Sequence, residues 1–459
     1  MIEMKSKQQE VYTISTDDCS IEENIKCKLT VDKECKYEPY DHGNMKQPIN
    51  YCGAVVHLVR CTIGSGILVL PSVFFSVGYL IGIVGTLIIA LLYVGNVHAL
   101  LFSEYELCKK LKVRNLTFTG LVEKSFENGP KRLRKLGPFF KGMLCFYYGV
   151  PSGVALYLII IADNTKTILQ YYFDVELGTV ESISVVALLI TSLCLIPKLK
   201  FLVPLSILTN VFSIINIGII LLYSLNFEAW KLNAEAIQDV NQIPKFFAVV
   251  LQSLIATGMI LPLKNDMKKP KDFATSLGVL NVSFFLLTLL FGVFGLVGSL
   301  NYGAEVEPNI LSNLPKGKTI TISVYILYTL SLCVTYTLLF YVYFDTVWSN
   351  FLQQHLSQSK HENKCKYALR VAINVCAYLM AIAVPNFQLF TSIVGTVGII
   401  IEIGLPSFLQ LLVLWAIKVK SAVFRYSLFK NTIVILIAII MFCMSTEQCV
   451  QDVIKLYNK

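Results

Sequence analysis

From about residue 53 the chain alternates long apolar runs with short polar stretches. At about 20 residues per membrane-crossing helix, eleven runs are long enough to span a bilayer: 53–75, 79–103, 138–162, 182–197, 201–225, 246–263, 275–300, 319–347, 368–385, 387–417 and 427–446. Residues 1–50 read differently, with ten acidic and seven basic side chains and neither a signal-sequence pattern nor a helical stripe. They are expected to form a disordered cytoplasmic tail. The pattern predicts an all-α polytopic membrane protein of eleven transmembrane helices over 51–446, the eleventh at 427–446, followed by a short extracytoplasmic tail at 447–459.

Two runs carry matching interruptions. The first contains Ile63-Gly64-Ser65-Gly66 with Pro71 close behind, and the sixth contains Ala256-Thr257-Gly258 followed by Pro262. Glycine lowers the cost of leaving helical geometry, and irregular backbone at membrane depth is tolerated where it is buried in protein or lines a cavity. Runs 1–5 and 6–10 have an odd number of crossings each, so they enter the membrane from opposite sides. Two halves, about 53–225 and 246–417, then form a 5+5 inverted repeat whose first helices are both broken. Such paired breaks point to a transporter's midplane site, although glycines also serve close helix packing.

Composition agrees with membrane residence: 55% of residues are hydrophobic, 15% are charged, and the mean hydropathy is +0.63. A net charge of +9 invites nucleic acid as a partner, but its distribution follows topology instead. If the N-terminus is cytoplasmic, the inner loops hold 24 basic residues and the outer loops at 163–182, 225–244 and 301–318 hold four. Lys and Arg are retained inside during insertion, so the N-terminus is expected in the cytoplasm and, with an odd count of helices, the C-terminus outside. No nucleic-acid partner is expected; the bilayer is. The sequons at Asn115 and Asn281 fall in an inner loop and within a span, where glycosylation is not expected. The thirteen cysteines lack metal-ligand spacing; Cys19, Cys27 and Cys35 recur at eight-residue intervals in the tail, a pattern open to lipidation or metal binding.

A broken helix turns unpaired N–H and C=O groups and two dipole ends toward a cavity, which suits a zwitterion. The candidate substrate-binding residues are therefore Thr62, Ile63, Gly64, Ser65 and Gly66 in the first helix and Ser253, Ala256, Thr257 and Gly258 in the sixth. Their hydroxyls either face substrate or bond their own backbone. Tyr147, Tyr148, Tyr336, Phe340 and Tyr341 are candidate wall aromatics, with Tyr148 and Phe340 foremost. Three ionisable groups are candidates for proton coupling or gating. His57 lies roughly 10 Å before the break; with an unperturbed pKa near 6.5 it either titrates across physiological pH or is a hydrated interfacial histidine. Arg60, one turn on, either pairs with an acid such as Asp345 or Glu104 at an inner gate or snorkels to the interface. Glu402, near the middle of the tenth run, is either protonated or paired. Asp163 and Lys166 read as an interfacial pair at the outer end of run 3. No nucleotide-loop, zinc-protease or nucleophile-elbow motif is present. No enzyme activity, cofactor or metal is expected.

His57, Arg60, Ile63-Gly64-Ser65-Gly66 and Leu70-Pro71 together resemble the first helix of the amino acid/auxin permease family, and most closely its proton-coupled amino acid transporter branch. The resemblance extends through Ala162-Asp163-Asn164 with Lys166, Leu261-Pro262-Leu263 with Asn265 and Met267, Phe340-Tyr341-Val342, and Pro385-Asn386-Phe387 with Leu389-Phe390 and Ile393-Val394-Gly395. It implies an eleven-helix LeuT-like fold, symport of small neutral amino acids with protons by alternating access, and a coupling role for His57. The chain departs from the branch at Ile255, where an acidic residue is usual, at Cys61-Thr62, and in outer loops that lack cysteine. The departure at Ile255 keeps a second function open, an amino-acid-sensing receptor that retains the pocket with little transport. The expected location is a plasma or lysosomal/endosomal membrane.

Overall fold

The computed structural model describes residues 37–42, 48–195, 202–225, 235–315, 319–352, 361–419 and 421–458. Most of the predicted tail, including Cys19, Cys27 and Cys35, lies outside the described residues. Among the described residues the regular structure is helical, with one isolated extended bridge between Ile49 and Met267. A bilayer offers no water to backbone groups, so a spanning segment must satisfy them internally, and helices do so.

Among the described residues eight helices are long and apolar enough to cross a membrane, and a ninth span forms if Tyr51–Thr62 and Ser65–Val77, bent by 52°, are taken together. Two shorter apolar helices, Thr179–Cys194 and Val211–Tyr223, occupy the fourth and fifth predicted runs. The protein is an all-helical polytopic membrane protein. We number its α-helices α1 (Tyr51–Thr62), α2 (Leu70–Val77), α3 (Tyr79–Leu111), α4 (Phe118–Glu127), α5 (Gly137–Gly149), α6 (Ser152–Phe173), α7 (Thr179–Cys194), α8 (Leu202–Tyr223), α9 (Ile243–Leu254), α10 (Thr257–Asn265), α11 (Val279–Tyr302), α12 (Thr319–Val347), α13 (Glu362–Ala383), α14 (Phe387–Gly398), α15 (Leu405–Ala416) and α16 (Ser421–Tyr457).

Local chemistry sets several boundaries. The Asn50 side chain accepts from the Gly53 N–H at the start of α1, Thr117 does the same for Gly120 at α4, and Asn386 for Leu389 at α14. Between α2 and α3 the chain turns at Gly78 with φ of 87°, and a Cβ there would also strike the Ala236 carbonyl, so both conformation and space require glycine. Lys109 and Lys110 sit in the last turn of α3, where the helix dipole favours cations.

Packing places α3 against α11 and α15, α6 against α12 and α7, α8 against α12, and α9 against α14. The outer surface of α16 is rich in exposed apolar side chains such as Leu436, Ile439 and Ile440, as suits contact with lipid.

Several features differ from the sequence reading. The third run continues past residue 162, so Asp163 and Lys166 are part of α6. The stretch between the second and third runs, the inner loop that carries Asn115, holds the end of α3 and all of α4. The tenth run is interrupted by a π-helical turn, Ile399–Gly404, and the last helix continues beyond residue 446 to Tyr457.

Candidate functional site

The first break separates α1 from a short 3-10 turn, Ser65–Val69. Gly64 has φ of −124°, a value open to any residue, so space rather than backbone freedom explains its lack of a side chain. A Cβ at Gly64 would collide with the Tyr157 hydroxyl of α6, and one at Gly66 would lie 2.9 Å from Cα of Ser253 in α9. Tyr157 also interacts with Ser65. The first break is therefore filled by α6 on one side and pressed against the sixth helix on the other. Thr62 and Ser65 are buried, while Ile63, Gly64 and Gly66 are half-buried.

The second break occupies Ile255 and Ala256, where the backbone leaves helical geometry between α9 and α10. Its two halves still run as one membrane-length element, Val240–Asn265. Tyr93 of α3 bridges the gap. Its hydroxyl accepts from the Ala256 N–H at 2.8 Å and lies 2.8 Å from the Thr257 hydroxyl. Pro262 inside α10 has no N–H to offer the Gly258 carbonyl four residues back, and Gly258 is exposed. A missing helical donor thus coincides with an opening at the start of α10.

Glu402 faces this break from the π-helical turn. Its side chain is 1% exposed; Oε1 accepts a 2.7 Å hydrogen bond from the Tyr148 hydroxyl, and Oε2 is buried with no hydrogen-bond partner among the described residues. Thr257 is also within electrostatic reach of the carboxyl. A π turn widens the helix by one residue and re-aims its side chains, a recurring device at functional sites. Gln252 adds a second buried unpartnered oxygen, Oε1, close to where Gly395 and Gly398 of α14 meet the sixth helix.

The structure gathers Gly64, Ser65, Gly66, Ser253, Ala256, Thr257, Gly258, Tyr148 and Glu402 into one neighbourhood. Two candidate hydroxyls have local partners instead of open ones: Thr62 donates to the Leu58 carbonyl and Ser253 to the Val249 carbonyl. Phe340 is fully buried, its ring edge-on to Tyr341 of its own helix, and Tyr336 donates to Asn374. His57 is half-buried with Nδ1 3.4 Å from Sγ of the exposed Cys61, and Arg60 is half-buried beside it.

Two pairings weighed from the sequence, one of the alternatives for Arg60 and the interfacial pair on α6, find other partners. Glu104, considered as a partner for Arg60, is bonded to Lys264 at the end of α10, 2.5 Å away with both side chains 2% exposed. Asp163 makes no ion pair with Lys166; its carboxylate accepts from Asn309 at 2.8 Å. In each case burial made the nearest interhelical polar group the better partner.

Sequence reading missed Tyr93, Tyr157, Gln252 and Lys264. Tyr93 and Tyr157 sit inside apolar runs with no distinguishing spacing. Lys264 had a signal, being the first charge after the sixth run, but its depth depends on the tilt of α10. The segment before α1 also docks here. Ile49 exchanges backbone hydrogen bonds with Asp266 and Lys268, Glu38 accepts from Tyr105, and Tyr40 stacks on Tyr105 with the Lys264 ammonium 5.5 Å from its ring centre. Burial, reinforced by the Glu104 carboxylate, holds the Tyr40 phenol above its ordinary pKa, so that ring stays neutral beside the cation.

Membrane-length helices, one sharply broken and another locally opened around a buried carboxyl, define a polytopic membrane protein with a polar centre. The chain belongs to the transmembrane amino acid transporter protein family, whose model matches residues 47–451. It is 26% identical to the proton-coupled amino acid transporter-like protein pathetic of Drosophila melanogaster, over 92% of this chain and 89% of that one. It is likewise 26% identical to amino acid transporter AVT3A of Arabidopsis thaliana, over 80% and 81% of the two chains. The family and these relatives are transporters, and the chain is not an enzyme.

Proposed function

We propose that this chain is a secondary active transporter that carries small neutral amino acids with protons by alternating access, within an eleven-helix LeuT-like 5+5 inverted repeat. The observation that carries the reading is the meeting of the two interrupted helices at Gly66 and Ser253, with Glu402 facing the second interruption. At such a site, backbone N–H groups and a helix N-terminus receive the substrate carboxylate, and carbonyls with a helix C-terminus receive its ammonium. Glu402, with one oxygen held by Tyr148, the other without a hydrogen-bond partner among the described residues and Thr257 close by, offers a position for the coupled proton. His57 and Arg60 lie nearer the basic end of the bundle, where His57 responds to protonation and Arg60 serves a gate.

Packing supports the repeat. The third predicted segment lies on the eighth, the second on the seventh, the first on the seventh and the sixth on the second. Exchanging each segment with its counterpart five places on returns these four pairs, as a two-fold relation between halves requires, whereas among the described residues the packing of the sixth segment on the tenth has no equal between the first and the fifth. Counting the bent pair and both short apolar helices as spans gives eleven, with the N-terminus in the cytoplasm and the C-terminus extracellular or lumenal.

The test is reconstitution in liposomes with an imposed pH gradient and a panel including alanine, glycine, proline and 4-aminobutyrate. Expected is proton flux that depends on substrate and uptake that rises with acid outside, with Glu402→Gln abolishing the pH dependence. Binding without flux converts the assignment to a sensing receptor. Acid-driven accumulation that persists in His57→Ala removes that residue from coupling.

A further inference from the structure

We propose that a cavity at the end of the bundle opposite the basic loops is a second binding site for a small zwitterionic amino acid, separate from the two breaks. The inference rests on the reading of the chain as an amino acid carrier and adds to it a place where substrate is held.

The cavity has a volume of about 220 Å³ and is walled by α6, α7, the segment around Asn309 and the start of α14. That volume is below the roughly 300 Å³ at which pockets for drug-sized ligands begin, so it suits a small solute. Asp163 and Lys166 both line it from α6, and the exposed Glu307 lies on the segment before Asn309. They are three residues apart on α6, close enough for a side-chain pair, yet no ion pair joins them. Asp163 commits Oδ2 to the Asn309 amide, while Oδ1 makes no hydrogen bond among the described residues. The half-buried Lys166 likewise has no hydrogen bond or ion pair there.

The two opposite charges on the α6 wall feel one another without forming an ion pair, and with Glu307 at the exposed side they offer one cationic and two anionic groups, which match the carboxylate and ammonium of an amino acid. The ligand ammonium meets Asp163 and its carboxylate meets Lys166. Either charge alone leaves the other protein group unpaired, so a simple amine or a simple acid gains only half of the interaction. Ile159, Ala162, Ile183 and Phe387 supply an apolar wall for a short side chain.

Asn309 makes the arrangement a built one. It is 3% exposed and its amide donates both to Asp163 and, at 2.9 Å, to Asn164, whose own Nδ2 is buried without a partner among the described residues. The carboxylate is therefore held in place before any ligand arrives. The location also fits a holding site. Tyr157, which fills the first break, precedes Asp163 by six positions on the same helix, roughly 9 Å along the axis. A solute in this cavity is one short step from the break that Tyr157 occupies.

The test uses the full-length protein in nanodiscs and equilibrium dialysis with the radiolabelled amino acid of the panel that binds best. Expected is two molecules per chain for the native protein and one each for Lys166→Gln and for Gly66→Ala. One molecule in the native protein, retained in Lys166→Gln and lost in Gly66→Ala, overturns the second site and leaves the carrier reading standing. No binding of any panel amino acid to the native protein overturns the carrier reading itself, and this site with it.

A second measurement does not depend on the folding of a charge variant. Ser312→Cys places a thiol on the cavity wall for a membrane-impermeant maleimide. At ten times its dissociation constant the amino acid should slow labelling about tenfold, while ethylamine and propionate at equal concentration should not. The protection should persist when Gly66→Ala is added. Labelling at an undiminished rate, or protection that disappears with Gly66→Ala, overturns the proposal.

Discussion

The two interrupted helices sit side by side, yet they are held by different forces. The first break is held by packing: glycines at 64 and 66 admit Tyr157 and the Ser253 backbone, and the helix bends by 52°. The second is held by polar bonds from a single neighbour, α3, which grips α10 at both ends. Tyr93 ties its beginning through Ala256 and Thr257, and Glu104 ties its end through Lys264. Tyr93 and Glu104 are eleven residues apart, roughly 16 Å along α3, so α10 is tied over its whole length, and with α9 it forms one membrane-length element. Shape complementarity lets one helix bend, and directional bonds tie the two ends of the other's second half.

The comparison is most exposed at Glu104. Glu104→Gln should strand the buried Lys264 ammonium and cost about 3–5 kcal/mol, read as a lowered unfolding temperature of the purified protein. Adding Lys264→Met should recover most of the loss. A double variant no more stable than the single would mean that the ion pair does not hold α10.

Gly66→Ala should come next, since the collision is with backbone that cannot swing aside. An overpacking cost of about 1–3 kcal/mol, if it falls on the transport-competent state, corresponds to a reduction in amino acid uptake of roughly fivefold to 150-fold, measured in proteoliposomes. Uptake at the native rate would show that the two broken helices have freedom to separate there.

Tyr93→Phe removes the acceptor of the Ala256 N–H and should cost about 1–3 kcal/mol if the group stays dry. Because Gly258 nearby is exposed, water relieves part of this. Hydrogen exchange should accelerate at Ala256 and Thr257 while the first break remains protected. Equal acceleration at Gly64 and Ser65 would show that the breaks are one mechanical unit.

The smallest effect is expected for Gly64→Ala, whose obstacle is a hydroxyl rather than a main chain. Its cost of about 1 kcal/mol in thermal stability should be largely reversed by Tyr157→Phe, which clears the collision. Failure of that rescue would mean that Gly64 is needed for something other than the space Tyr157 fills.

Both breaks were legible because their causes are local. Gly64, Gly66 and Pro71, and Gly258 and Pro262, alter the backbone within a turn or two of themselves. Glu402 was legible because a lone carboxylate among Ile399, Ile400, Ile401 and Ile403 is costly wherever the helix faces. Its π-helical turn was not, since no residue in that stretch distinguishes it from a straight helix. Tyr93 and Tyr157 were hidden for a related reason: an aromatic in an apolar run reads as packing or as a lipid contact until its partner is known.

The sequence by itself determined the membrane class, the approximate position of each apolar segment, the charge asymmetry of the loops and the two points where the backbone departs from helix. These follow from composition and short-range stereochemistry. Tertiary structure alone decided that Glu104 meets Lys264 rather than Arg60, that Asp163 turns to Asn309, and that Tyr148 reaches Glu402 across 254 positions of chain. Such partners depend on each helix's rotation and depth, which are set by how its whole surface packs. No short stretch of residues contains that information.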